Sequence, residues 1–231
     1  MSLLTVGNPK LLKGQKKGYL SSVLHFAPAT LSGKEVCPKR TAGCTMACLN
    51  TAGRGGIFKK GETTNVIQQA RIRKTKAFFE NRQAFLNELT VEIIKTKTKA
   101  EKQGLIPVFR LNGTSDLSWE KYTVANGKNI FQMFPEVQFY DYTKINNRKV
   151  KHIPNYHLTF SKADGNDMDV RLALSNGMNV AAVFHKVPET YLGRPVINGD
   201  ETDLRFLDPK GVIVGLKAKG KAKKDTTGFV V

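Results

Sequence analysis

The sequence predicts an α/β fold, a partial or irregular β/α barrel of TIM-like winding with a mostly parallel sheet. Three observations carry that expectation. From residue 106 onward, short apolar runs alternate with helical ones, the pattern of β-α-β units. Polar side chains follow the C-terminal ends of four successive strands, where parallel α/β folds and β/α barrels build their sites. A chain of 231 residues, 40% of them hydrophobic, with 13 Phe, 6 Tyr and a Trp, has enough apolar material for a real core.

The elements follow in order. Residues 19–27, YLSSVLHFA, read as the first strand. A loop rich in Gly, Thr and Cys runs from about Pro28 to Gly61. From Thr63 to Gln103 the apolar spacing is that of a helix, divided in two, and Gly104 supplies the C-terminal stop. Residues 106–111 form a strand. A helix is expected over 118–134, with Ser118 as N-cap and Pro135 after its end. Strands follow at 137–143 and 156–160, a helix at 167–176 closed by Gly177, and strands at 179–184 and 211–216. No repeat, low-complexity linker or domain boundary interrupts the chain, so residues 1–231 read as one β/α domain with a basic segment at about 217–231. No run of about 18 apolar residues predicts a membrane span, and the first residues lack a long apolar stretch. The cytoplasm is the expected compartment.

Thirty-seven Lys and Arg against 19 Asp and Glu give a net charge of +18. That balance points to a polyanionic partner, a nucleotide or nucleic acid. Arg54, Lys217, Lys219, Lys221 and Lys223 are the candidate phosphate contacts. No zinc-finger, homeodomain or RNP signature is present, so the charge supports affinity for phosphate rather than base readout. A solvated, lysine-rich surface is the alternative.

Cys37, Cys44 and Cys48 are the only cysteines, in a C-x6-C-x3-C array. An odd count in one short loop excludes a disulfide framework and suggests a metal or cluster. Three thiolates leave one iron of a [4Fe–4S] cluster open. Zinc is the alternative, with His25 or water as a fourth ligand. The histidines lack H-x3-H or HExxH spacing, which argues against a zinc hydrolase.

The cysteine loop with Leu49-Asn50-Thr51-Ala52-Gly53-Arg54-Gly55 resembles a phage family named for mycobacteriophage gene product eighty-eight. The segments Arg110–Asp116 and Phe139–Lys144 are similar to it as well, so the resemblance spans roughly residues 19–186. Leu49 and Lys39 stand where family members carry an aromatic residue and a glycine, and no cysteines occur near the C-terminus. The resemblance implies a phage or prophage origin and a radical-SAM-like barrel, but no particular reaction. The arrangement is also similar to that of radical SAM enzymes, whose open iron binds S-adenosylmethionine; their common spacing is C-x3-C-x2-C, so this array is a variant.

The polar strand ends supply the remaining candidates. Asp116 and Lys144 are the candidate catalytic residues, Asp116 as a base or a contact to a substrate amine or hydroxyl. Asn112, Ser115, Ser161 and Lys186 are the candidate cofactor contacts. If the strands are parallel, the cysteine loop, 112–116, 143–144, 161–162 and 185–186 emerge on one face. Trp119 is either a base-stacking platform or core. The loop Asn198–Pro209 either binds a cation or is structural with an Asp–Arg pair. Two functions follow: an iron–sulfur enzyme acting on a nucleotide or nucleic acid, or a non-catalytic nucleic-acid-binding phage protein with a structural zinc or cluster.

Overall fold

The computed structural model describes residues 1–7 and 9–231. The elements are β1 (Leu4–Thr5), α1 (Pro9–Gln15), β2 (Tyr19–Leu24), α2 (Ala42–Met46), α3 (Val66–Glu80), α4 (Arg82–Lys102) and β3 (Ile106–Arg110). They continue with β4 (Thr123–Ala125), β5 (Lys128–Asn129), α5 (Ile130–Met133), β6 (Gln138–Thr143), β7 (Tyr156–Ser161) and α6 (Asp167–Ser175). The chain ends with β8 (Val180–Phe184), β9 (Thr190–Tyr191), β10 (Arg194–Asn198) and β11 (Ile213–Lys217).

Among the described residues nine strands form one sheet, ordered β1-β2-β3-β6-β7-β8-β11-β10-β9. The seven inner strands are parallel, and β1 and β9 pair antiparallel at the edges. The expected mostly parallel sheet is therefore present, and the strand C-termini share one edge. The sheet has two ends and does not close, so the TIM-like barrel is not formed. The chain packs one face of the sheet itself: Leu204 packs there with Val108 and Tyr140, and Phe206 packs against them and Tyr19.

The outer face carries the larger core. Phe78 of α3 and Phe85, Leu86, Leu89 and Ile93 of α4 pack on Leu24, Phe26, Phe109 and Phe139. Side-chain alternation explains the division: Phe109 and Phe139 face the helices, and their neighbours Val108 and Tyr140 face the opposite side, towards Leu204. Asn65 starts α3 by accepting from the Ile67 and Gln68 amides, and Asn81 separates the two helices and caps α4. Gly104, at φ 63°, ends α4 as expected.

The helix expected over 118–134 is corrected. Trp119–Lys121 form a 3-10 turn, β4 and β5 form a hairpin, and only Ile130–Met133 are helical. Asn126 and Gly127 take positive φ, the requirement of a tight hairpin turn, and an Asn-Gly pair meets it readily. Ser118 makes no side-chain cap. Trp119 is core, stacked near Phe26 and Phe78, with its indole N–H on Asn112 Oδ1.

Candidate functional site

A cavity of about 290 Å³ opens where the parallel strands end. Its wall brings together Cys37, Cys44 and Cys48 with Asn112, Ser115, Asp116, Lys144, Ser161, Lys217 and Lys219. The parallel pairing of β3 with β6 sends both of their following segments to this edge. Lys186, Arg54, Lys221 and Lys223 are not in the wall, and neither are Lys162 and His185. The C-terminal tail explains the last two. It pairs with the end of β8 through a Val183–Val230 bridge, and the His185 amide donates to Val231 O. Lys162 Nζ donates to Gly228 O at 2.7 Å, which places it under the tail.

Each cysteine is held by local structure. Cys37 Sγ donates to Thr114 O at 3.8 Å and accepts from the Ala29 amide at 3.5 Å. Cys44 sits in α2, whose N-terminus is capped by Thr41 and by the Asp164 carboxylate, which accepts from the Gly43 and Cys44 amides. Cys48 begins the 3-10 turn Leu49–Thr51, which Arg71 ties to α3 through Asn50 Oδ1 at 2.6 Å. Among the described residues, no three His, Cys, Asp or Glu side chains stand as a ready metal-ligand group. In donor chemistry, three thiols on one wall fit a cluster or zinc. His25 is not in the wall.

A protein-family model described as Gene product 88 matches residues 2–231. The chain belongs to the Gene product 88 family. The match extends the likeness seen in the cysteine segment to nearly the whole chain and agrees with the phage naming. No curated protein and no solved structure matches the chain. No helix among the described residues of this Gene product 88 member is long and apolar enough to cross a membrane.

The electrostatics of the family member's cavity divide by pole. At the sulfur pole, burial pushes the Cys37 thiol up to about 12 and also raises Cys48. Burial therefore disfavours the thiolate form of Cys37 and Cys48 in the metal-free cavity. Lys144 stands beside them: burial opposes its charge, but Cys44, with which it hydrogen-bonds, and Asp116 hold its pKa above the ordinary lysine value. At the other pole Arg110 stacks its guanidinium over Tyr142 at 4.6 Å and bonds Asp203 at 3.0 Å.

The acidic and amide candidates have more structural roles than their motifs suggest. Asn112 commits its side chain to the protein: Nδ2 donates to Leu117 O and Asp141, and Oδ1 accepts from Ser115, Leu117 and Trp119. It shapes the wall, and its side-chain amide is engaged within the protein. Asp116 Oδ2 accepts the Lys144 amide at 2.7 Å, fixing the two candidate residues to each other. Its Oδ1 is buried 3.8 Å from Arg148, and burial raises its pKa against the opposing pull of the Lys144 amide, Thr143 and Arg148. The motifs do not single out Asp164 or Phe229, and they include Arg110 and Tyr142 only as members of the family-like segments 110–116 and 139–144. Asp164 and Arg110 carry a sequence signal, charge at a strand's end, but Phe229 enters the wall only through the tail's return to β8.

Proposed function

We propose that the protein is an iron–sulfur enzyme that acts on a nucleotide or nucleic-acid substrate in this cavity. The observation supporting it is the gathering of all three cysteines and the polar ends of β3, β6 and β7 around one space. Cys37, Cys44 and Cys48 would hold a [4Fe–4S] cluster. Bound there, the cluster supplies one-electron chemistry and an open iron site for a co-reactant such as S-adenosylmethionine. The chain's own residues do the rest. Lys144 donates to Cys44 and places a positive charge beside the thiolates that metal binding requires. Asp116 holds the Lys144 backbone, and Ser161 offers a hydroxyl from the neighbouring strand. Arg110, Lys217 and Lys219 favour an anionic substrate at the opposite pole.

Anaerobic purification and metal analysis test the reading. Brown protein with about four iron atoms per chain is expected, and Cys37→Ser, Cys44→Ser and Cys48→Ser should each lower the iron. Lys144→Met should keep the iron and lose turnover or ligand binding. Colourless protein with one zinc would overturn the enzyme in favour of a nucleic-acid-binding protein with a structural metal. Metal-free protein whose cysteine variants behave like the parent would overturn both.

A further inference from the structure

Cations at the mouth of the cavity are held by the chain's own carboxylates. Asp200 and Glu201 follow β10 in a turn between α1 and the C-terminal end of β11. Lys219 Nζ reaches Asp200 Oδ1 at 2.5 Å, and Lys17 Nζ reaches Glu201 Oε1 at 2.9 Å. Lys13 Nζ donates to Asp200 O at 3.1 Å, and the Lys217 amide donates to Asp200 Oδ2 at 3.0 Å. The concentration is unusual for this chain: of 19 acidic residues, four fall between 200 and 208.

The pairs are of two kinds. Arg110–Asp203 is buried and anchors the segment, since breaking it would strand a charge away from water. Lys17–Glu201 and Lys219–Asp200 are exposed, with side chains 47 and 65%, and 54 and 24%, accessible. Surface pairs of that kind contribute about 0–1 kcal/mol and exchange readily. A phosphate oxygen is an equivalent acceptor for the same ammonium groups, and a strand presents several in succession. Asp200, Lys217 and Lys219 line the cavity, so the turn stands where such a strand would enter.

We propose that Asp200 and Glu201 occupy, in the free protein, a cation site that binds the backbone phosphates of a nucleic-acid strand, and that the strand displaces them. This rests on the nucleic-acid part of the reading above and adds to it the site and an internal competitor. A lone phosphate gains little by displacing the carboxylates; a strand gains several contacts at once. The turn thereby selects polymer over free phosphate.

Binding of a fluorescent single-stranded DNA oligonucleotide, followed by anisotropy across a salt series, tests the proposal in the full chain. The variant Asp200→Asn with Glu201→Gln is compared with Glu80→Gln plus Glu101→Gln, which makes the same charge change on exposed residues of α3 and α4. The turn variant should bind on the order of tenfold tighter at low salt, with a log–log salt slope steeper by about 1.4, roughly 0.7 for each released lysine on a single strand. The helix variant should move affinity far less and leave the slope unchanged. Adding Lys17→Gln and Lys219→Gln to the turn variant should abolish the gain. The amide that Asp200→Asn introduces keeps an oxygen to accept the Lys217 N–H, so the turn holds its shape, and thermal melting verifies that it does. Equal effects of the two charge-matched variants would overturn the proposal while leaving nucleic-acid binding intact. Parent protein that binds no oligonucleotide at any salt would overturn the nucleic-acid reading and this proposal together.

Discussion

Asp141 and His25 are buried groups beside the cavity, and their charges respond to pH in opposite senses. Asp141 accepts from the Asn112 amide at 2.7 Å, from Asn112 Nδ2 and from Tyr156 OH, yet burial raises its pKa from 3.8 to about 7. A folded state that binds the extra proton loses stability as pH rises from about 4 to about 7. Burial, with Arg71, Arg110 and Lys74 nearby, lowers His25 from 6.5 to about 3. Here the unfolded chain binds the extra proton, so stability is lost as pH falls from 6.5 towards 3. Urea midpoints across pH should separate them: Asp141→Asn removes the falling limb and His25→Gln the acid loss. Asp141→Asn should also lower stability by about 1–3 kcal/mol, because its amide N–H₂ turns a donor towards Tyr156 or Asn112. His25 stands out in the sequence only as a possible fourth zinc ligand; Asp141 reads there as one polar residue in an alternating strand, and only its burial gives it a role.

The element that matters most to the site is α2, too short to be stable alone and held by contacts distant in sequence. Asp164, from the loop after β7, binds the Gly43 and Cys44 amides at 3.0 and 3.2 Å and accepts from Thr41. Gly43 is required because a Cβ there would collide with Thr227 Oγ1 and Asp164 Oδ1. Gly43→Ala should push α2 off both partners, lower stability by about 1–3 kcal/mol and reduce metal content. A variant with full metal content and an unchanged urea midpoint would show that the helix does not need this seat. The cysteine loop was legible as one unit from its spacing, but its internal helix was not, since five residues carry no periodicity. The hairpin β4–β5 shows the opposite case. Its Asn126-Gly127 signal was present, but the surrounding apolar residues matched a helical spacing.

At the scale of the whole molecule, the C-terminal tail returns to pair with the end of β8. Val230 pairs with Val183 and packs with Ala47, Ala218 and Ala222, while Phe229 enters the cavity wall. Removing residues 225–231 should therefore lower stability by at least about 2 kcal/mol, the burial of one or two apolar side chains. It should also speed alkylation of the cysteines, read by mass spectrometry at fixed pH. Unchanged alkylation would mean the tail does not guard the cavity. Apolar patterning by itself pointed to the mostly parallel α/β architecture, to two helices over residues 63–103, and to polar segments following the C-terminal ends of the strands. These properties rest on local periodicity and on the fixed handedness of crossovers. Only the tertiary structure decided that the sheet stays open, with β1 and β9 at its edges, and that Leu204 and Phe206 return to pack against Val108 and Tyr140, because those contacts join segments far apart in the chain. It also decided which lysines meet the cavity and which carboxylates hold them, because pairs such as Lys17–Glu201 join residues far apart in the chain. Their partners are set by where the strands deliver them, a relation that composition and spacing do not encode.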